Sequence, residues 1–123
     1  MDDDRPTLGA IGEDAAWRWY QDRGYRLIAR NWRCRLGELD LIVQRADLLA
    51  FCEVKARRES VFGGGWEAVT ARKQAKVRAV AQAFLQHTGI GAGAVRFDVA
   101  SVAVRDGSSP ASSADVELFE DAF

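Results

Sequence analysis

The stretch GELDLIVQRADLLAFCEVK, residues 37–55, constrains the fold more than any other part of the chain. In GELDLIVQ the side chains alternate: Leu39, Leu41 and Val43 point one way, and Glu38, Asp40 and Ile42 the other. LLAFCEVK alternates too, so Glu53 and Lys55 share a face with Phe51 while Cys52 and Val54 take the opposite one. Side chains two apart on a strand lie roughly 6–7 Å apart along one face. Only QRADL separates the two runs. A two-residue turn at Ala46–Asp47 places Arg45 against Leu48, and paired residue numbers then sum to 93. That register sets Asp40 opposite Glu53 and Glu38 opposite Lys55, with facing Cβ atoms about 4.5–5.5 Å apart.

Two facing carboxylates repel, and a fold gains nothing from that alone. A hard divalent cation removes the cost, and Mg²⁺ or Mn²⁺ prefers carboxylate, carbonyl and water oxygens. The competing reading is a salt-bridge network in which Lys55 pairs with Glu38 or Glu53 and Asp40 sits near solvent.

Charge distribution favours the site. The net charge is −1, but Arg18 to Arg78 holds fourteen Lys/Arg against seven Asp/Glu, whereas the remainder holds three against eleven. A cation at the central acids would leave a positive surface around an acidic centre, the footprint of a protein that handles phosphates. Arg57, Arg58, Arg72, Lys73 and Lys76 are the candidates for holding flanking phosphates. Arg30 and Arg33, with Asn31 and Arg35, form either a second phosphate contact or a solvated edge that blocks strand addition. Trp32 and Trp66 are available for stacking on bases, although single aromatics are more often core or rim residues.

The rest of the chain frames the hairpin. Residues 1–7 are acidic and expected to fray. Leu8 to Arg23 shows helical spacing of Ile11, Ala15, Trp19 and of Ala16, Tyr20, stopped by Gly24. YRLIARNWR reads as an Arg-rich edge strand. FGGGW is a break, and a long helix is expected from about Trp66 to Gln86, with Val69, Val77, Val80, Ala81 and Phe84 as its apolar stripe. VRFDVASVAV is a further strand, DGSSPASSA a polar loop, and DVELFEDAF a short last strand or tail. The order is α-β-β-β-α-β-(β): one α/β domain over residues 8–123, with a mixed sheet flanked by helices. Asp98 beside Arg96 in RFD reads as a structural ion pair rather than a metal ligand.

No run approaches the roughly 20 apolar residues of a membrane span, and MDDDRPT lacks the basic and apolar regions of a secretory signal. Cys34 and Cys52 match no metal or redox spacing and read as free thiols in a reducing cytoplasm. The single His87 near a helix end suits a capping or surface role.

GELD followed after twelve residues by EVK resembles the core of the PD-(D/E)xK nuclease superfamily, with Asp40, Glu53 and Lys55 in the motif positions. GAIGEDAAWRWYQDRGYRLIARNWRCRLGELDLIV, LAFCEVKARR, AVTARKQAKV and VRFDVASV, in order across residues 9–104, resemble the small bacterial YraN-type proteins, relatives of Holliday-junction resolvases. The resemblance implies a restriction-endonuclease-like fold, nucleic acid as partner with DNA first, and a Mg²⁺- or Mn²⁺-dependent nuclease. It also carries over Glu13 as a first-helix acid near the metal, beside Asp40, Glu53 and Glu38. One departure is that Leu39, not proline, precedes Asp40. A binding module that keeps the acidic pocket without cutting is the alternative, and a homodimer is left open.

Overall fold

The computed structural model describes residues 7–58, 69–105 and 114–123. The elements run α1 (Leu8–Gln21), β1 (Arg26–Cys34), β2 (Gly37–Arg45), β3 (Leu48–Arg58), α2 (Ala71–Thr88), β4 (Ala94–Val104) and β5 (Ala114–Phe119). They form one five-stranded sheet in the order β1-β2-β3-β4-β5. The first three strands are an antiparallel meander, β4 joins β3 in parallel, and β5 returns antiparallel to β4. A parallel neighbour needs a crossover, and the segment carrying α2 supplies it. This is the α/β restriction-endonuclease-like fold.

The two helices cover opposite faces. Ile11, Ala15, Ala16 and Tyr20 of α1 pack on Leu41, Val43, Cys52, Ala100 and Val102. Val77, Val80, Ala81 and Phe84 of α2 pack on Leu39, Ile42, Leu49, Phe51 and Phe97. Each fully buried large side chain contributes about 1.5–3 kcal/mol. Gly12 lets α1 approach β3 closely: a Cβ there would lie 2.6 Å from the Cβ of Ala56. Asp98 is fully buried and accepts hydrogen bonds from the Tyr20 hydroxyl (2.6 Å), Arg96 (2.7 and 2.8 Å) and the Asp121 backbone N–H (3.0 Å). It is the structural ion pair expected of RFD, and it ties α1, β4 and the C-terminal turn together.

Three expectations are corrected. Thr7 is ordered as the cap of α1, its hydroxyl accepting the Ala10 N–H at 3.1 Å; residues 1–6 of the expected frayed stretch lie outside the described residues. The second helix begins at Ala71 rather than near Trp66, because the Thr70 hydroxyl caps it by accepting the Lys73 N–H at 3.2 Å. It ends at Gly89, whose φ of 70° suits a residue without Cβ. Finally, Leu39 does not share a face with Leu41 and Val43: it packs with the α2-side cluster, so alternation lapses across Asp40. Opposite that point Asn31 of β1 has a left-handed φ of 53°. The FGGGW break with Trp66, and residues 106–113 of the polar loop, lie outside the described residues. Among the described residues no helix is long and apolar enough to cross a membrane.

Candidate functional site

The β2–β3 hairpin has the expected register, with Arg45 paired to Leu48 and Leu41 to Cys52 around the two-residue turn. The ladder then stops one residue short of Asp40 and Glu53. The expected facing pairs Asp40–Glu53 and Glu38–Lys55 are therefore not rungs of the ladder. Past Leu41 the Val54 N–H finds its acceptor in the Asp40 side chain, Oδ2 at 2.8 Å, in place of a β2 carbonyl. A buried N–H needs a partner, and here a carboxylate supplies it where the strands part.

That hydrogen bond lowers the Asp40 pKa, but other effects outweigh it. Burial first, then the neighbouring Glu53 charge, with Glu13 and Glu38 adding less, raise the Asp40 carboxyl to about 7. Glu53 and Lys55 emerge on the α2 side of β3, as alternation from Phe51 requires. Among the described residues Lys55 makes no ion pair, so the bridging network that would have paired it with Glu38 or Glu53 is not formed.

Each of the other acids has a different cation. The Lys73 ammonium, in the first turn of α2, lies 2.9 Å from Glu53, whose side chain is 12% exposed. Glu38 pairs with Arg33, its direct ladder neighbour on β1. Glu13 is held by Arg30 at 3.3 Å and by the Asn31 amide at 3.0 Å; Arg30 also reaches Asp14 at 2.8 Å. Glu38, Glu53, Lys73, Lys76, Val77 and Val80 line a cleft of about 130 Å³ between β2, β3 and α2. Gly37, with φ of 150°, lets β2 lie close under α2: a Cβ there would come within 3.0 Å of the Lys76 stem.

The structure thus brings Asp40, Glu53, Glu38, Lys73 and Lys76 to one place, with Lys55 beside them on β3. Glu13 approaches from α1 closely enough to raise Asp40. Arg30 and Arg33 are committed to carboxylates rather than lying free along the edge. Arg58 and Arg72 are exposed, and Arg57 lies farther along the Glu53–Lys55 face. Trp32 packs edge-on against Phe84 at 5.2 Å and also meets His87, so it is a rim residue, and His87 serves as the basic group of the last helical turn. Cys34 and Cys52 are free thiols. Sequence reasoning missed Asn31 as a partner of Glu13 and Lys73 as the partner of Glu53. A glycine inside a helix at Gly12 was the available sign of the close α1–β3 approach.

The donor chemistry fits a hard divalent cation. Asp40 and Glu53 are neighbouring carboxyl groups, the first raised to about 7 by burial and by the second, and the Lys73 ammonium already lies against Glu53. Asp40 spends one oxygen on Val54 and keeps the other. Among the described residues, however, no group of three metal-capable side chains is collected in advance.

Residues 12–102 match the uncharacterised protein family UPF0102. The chain belongs to UPF0102. UPF0102, the YraN family, includes a Nocardia farcinica protein that is 46% identical over 107 residues, spanning 87% of this chain and 84% of that one. A UPF0102 protein of Pelotomaculum thermopropionicum is 43% identical over 102 residues, 83% of this chain and 85% of its own. One from Rhodococcus jostii is 42% identical over 117 residues, covering 95% of this chain and 96% of that protein. The UPF0102 match runs from the first helix through β4, so it takes in Glu13, Asp40, Glu53, Lys55 and Lys73.

Proposed function

We propose that this chain is a Mg²⁺- or Mn²⁺-dependent nuclease that hydrolyses phosphodiester bonds in DNA, branched DNA among its substrates. The observation that carries the reading is the half-buried Asp40 carboxyl, fixed by the Val54 N–H and raised to about 7 beside Glu53, with Lys55 one strand step away on the Glu53 face. A structural acid gains nothing from that surrounding, whereas an acid that trades its proton for a cation near neutral pH does. Asp40 and Glu53 would hold the cation, which when bound would polarise the phosphate and lower the pKa of a coordinated water. Lys55 carries a compact charge that offsets the negative charge gathering on the phosphoryl oxygens as water adds to phosphorus. Lys76 and Arg72, exposed on α2, hold neighbouring phosphates and set position rather than sequence.

A second reading is a nucleic-acid-binding module that does not cut. It is favoured by one observation: Glu53 and Glu38 are already neutralised by Lys73 and Arg33. The test is incubation of branched and linear DNA with Mn²⁺, comparing the wild type with Lys55→Met. Cutting that disappears in the variant supports the nuclease. Binding without cutting by either protein supports the module, and absence of binding defeats both.

A further inference from the structure

Arg57 stands one strand step beyond Lys55 on the face that carries Glu53. Its Nε is buried and has no hydrogen-bond partner, the one such side-chain atom among the described residues. Buried donors are nearly always paired, so an orphan asks for a partner: a water, an ion or a ligand. Beside it is a hydroxyl that has no protein partner among the described residues but reaches solvent. Ser101 of β4 is 7% exposed, and its hydroxyl makes no hydrogen bond among the described residues. The parallel ladder sets Ser101 level with Lys55, and Ala103 level with Arg57. The Ser101 hydroxyl therefore sits diagonally beside the guanidinium.

Arg57, Ser101, Ala103, Asp115, Val116 and Glu117 enclose an open cavity of about 250 Å³, distinct from the cleft under α2. Asp115 on its rim is turned to Arg105 at 3.2 Å, and neither it nor Glu117 forms an ion pair with Arg57. The lining combines a guanidinium on β3 and a hydroxyl on β4, donors that suit a phosphate oxygen, with the Asp115 and Glu117 carboxylates on the β5 side.

We infer that Arg57 and Ser101 form an oxyanion subsite for a phosphate group farther along the strand from the one handled at Asp40 and Glu53. The inference rests on the nucleic-acid reading and deepens it: the substrate backbone runs along β3, from Glu53 past Lys55 to Arg57. Residues two apart on a strand advance by roughly 6–7 Å, so the subsite lies about 13 Å from Glu53 along that line. The β5 carboxylates at the far rim keep the polyanion from spreading across the sheet.

The test uses the full chain with Arg57→Gln, Arg57→Lys and Ser101→Ala in two arms. The first follows oligonucleotide binding across a salt series. Arg57→Gln is expected to flatten the log–log salt slope by about 1 unit, because one phosphate contact is lost. Arg57→Lys keeps the slope and weakens binding. Ser101→Ala also keeps the slope and weakens binding about 3- to 10-fold, the range of one net hydrogen bond. The second arm follows the melting temperature with inorganic phosphate as the only ligand. Phosphate is expected to raise the wild-type melt more than that of Arg57→Gln. With no ligand present Arg57→Gln should melt no lower than the wild type, since the lost Nε has no partner; a structural arginine would give the reverse. Wild-type slope and affinity in both Arg57→Gln and Ser101→Ala would overturn the subsite while leaving the Asp40–Glu53 reading intact. If the wild type binds no oligonucleotide, that reading falls. The phosphate arm then decides the subsite alone: a shift lost in Arg57→Gln retains it as an anion site, and no shift, or one unchanged by the substitution, removes it.

Discussion

Replacing Asp40 with asparagine should leave the metal-free protein more stable at neutral and alkaline pH, by an amount that vanishes in acid. The substitution removes one charge at nearly constant shape, and its amide oxygen can still accept the Val54 N–H. The magnitude follows from the carboxyl's folded-state pKa of about 7. An unfolded aspartate titrates near 3.9, and each unit of difference corresponds to about 1.4 kcal/mol. The sign is that of a raised acid. Between about pH 4 and pH 7 the native state holds a proton that the unfolded chain has released, so stability contributed by the protonated carboxyl is present below pH 4 and lost as pH rises through 7. The full span is on the order of 4 kcal/mol. Asp40 is only half-buried by exposure, and water relaxing around it reduces the expectation to about 2 kcal/mol. For a domain near this size that is roughly 8 °C in melting temperature. Thermal melts of both proteins in EDTA at pH 4.5, 6 and 8 measure it. The asparagine variant should melt higher at pH 8, and the gap should close by pH 4.5. A variant that is less stable at every pH, with a gap that pH does not change, would refute the reasoning and make Asp40 an ordinary structural acid.

Other substitutions test the frame around the site. Gly12→Ala places a methyl 2.6 Å from the Ala56 Cβ and should cost about 1–3 kcal/mol, read from urea unfolding. Asp98→Asn takes from the largely buried Arg96 its buried counter-charge, leaving only the half-exposed Glu120 carboxylate at 3.7 Å, and should destabilise by about 3–5 kcal/mol, read the same way. Neutralising Arg72 and Lys76 together should flatten the salt dependence of DNA binding by about 2 units, measured by fluorescence anisotropy; an unchanged slope removes α2 from the interface.

The hairpin was legible because its turn is short. With Ala46 and Asp47 taken as the whole turn, Leu41 faces Cys52, and it does; a loop longer by two residues would have kept the same faces and shifted the pairing. What the pattern could not show was where pairing ends. The parting of β2 from β3 at Asp40 depends on a side chain taking over the Val54 N–H, and the same break carries Leu39 to the other face. Strand alternation carries no sign of either. The helix boundary failed for a local reason: Thr70 was a usable cap signal, but the apolar stripe running back to Val69 masked it. Lys73 was read as a phosphate ligand because its charge was visible and its approach to Glu53 was not. That contact joins the first turn of a helix to a strand residue twenty positions earlier in the chain, and the packing of Val77 and Val80 on the sheet holds them together. The basic edge hid its pairings in a similar way, since Arg30 and Arg33 meet Glu13, Asp14 and Glu38, which alternation along one strand does not show.

The measurement that bears most directly on the site is a Mn²⁺ titration of the melting temperature in the wild type and in Asp40→Asn at pH 8. A metal at 100 times its dissociation constant adds about 2.7 kcal/mol by mass action, or roughly 10 °C here. A cation held between Asp40 and Glu53 predicts that shift in the wild type, little or none in the variant, and therefore a reversal of the order seen in EDTA. Equal responses of the two proteins to Mn²⁺, or a wild-type melt indifferent to both Mn²⁺ and Mg²⁺ with and without DNA, would contradict a metal site at these carboxylates.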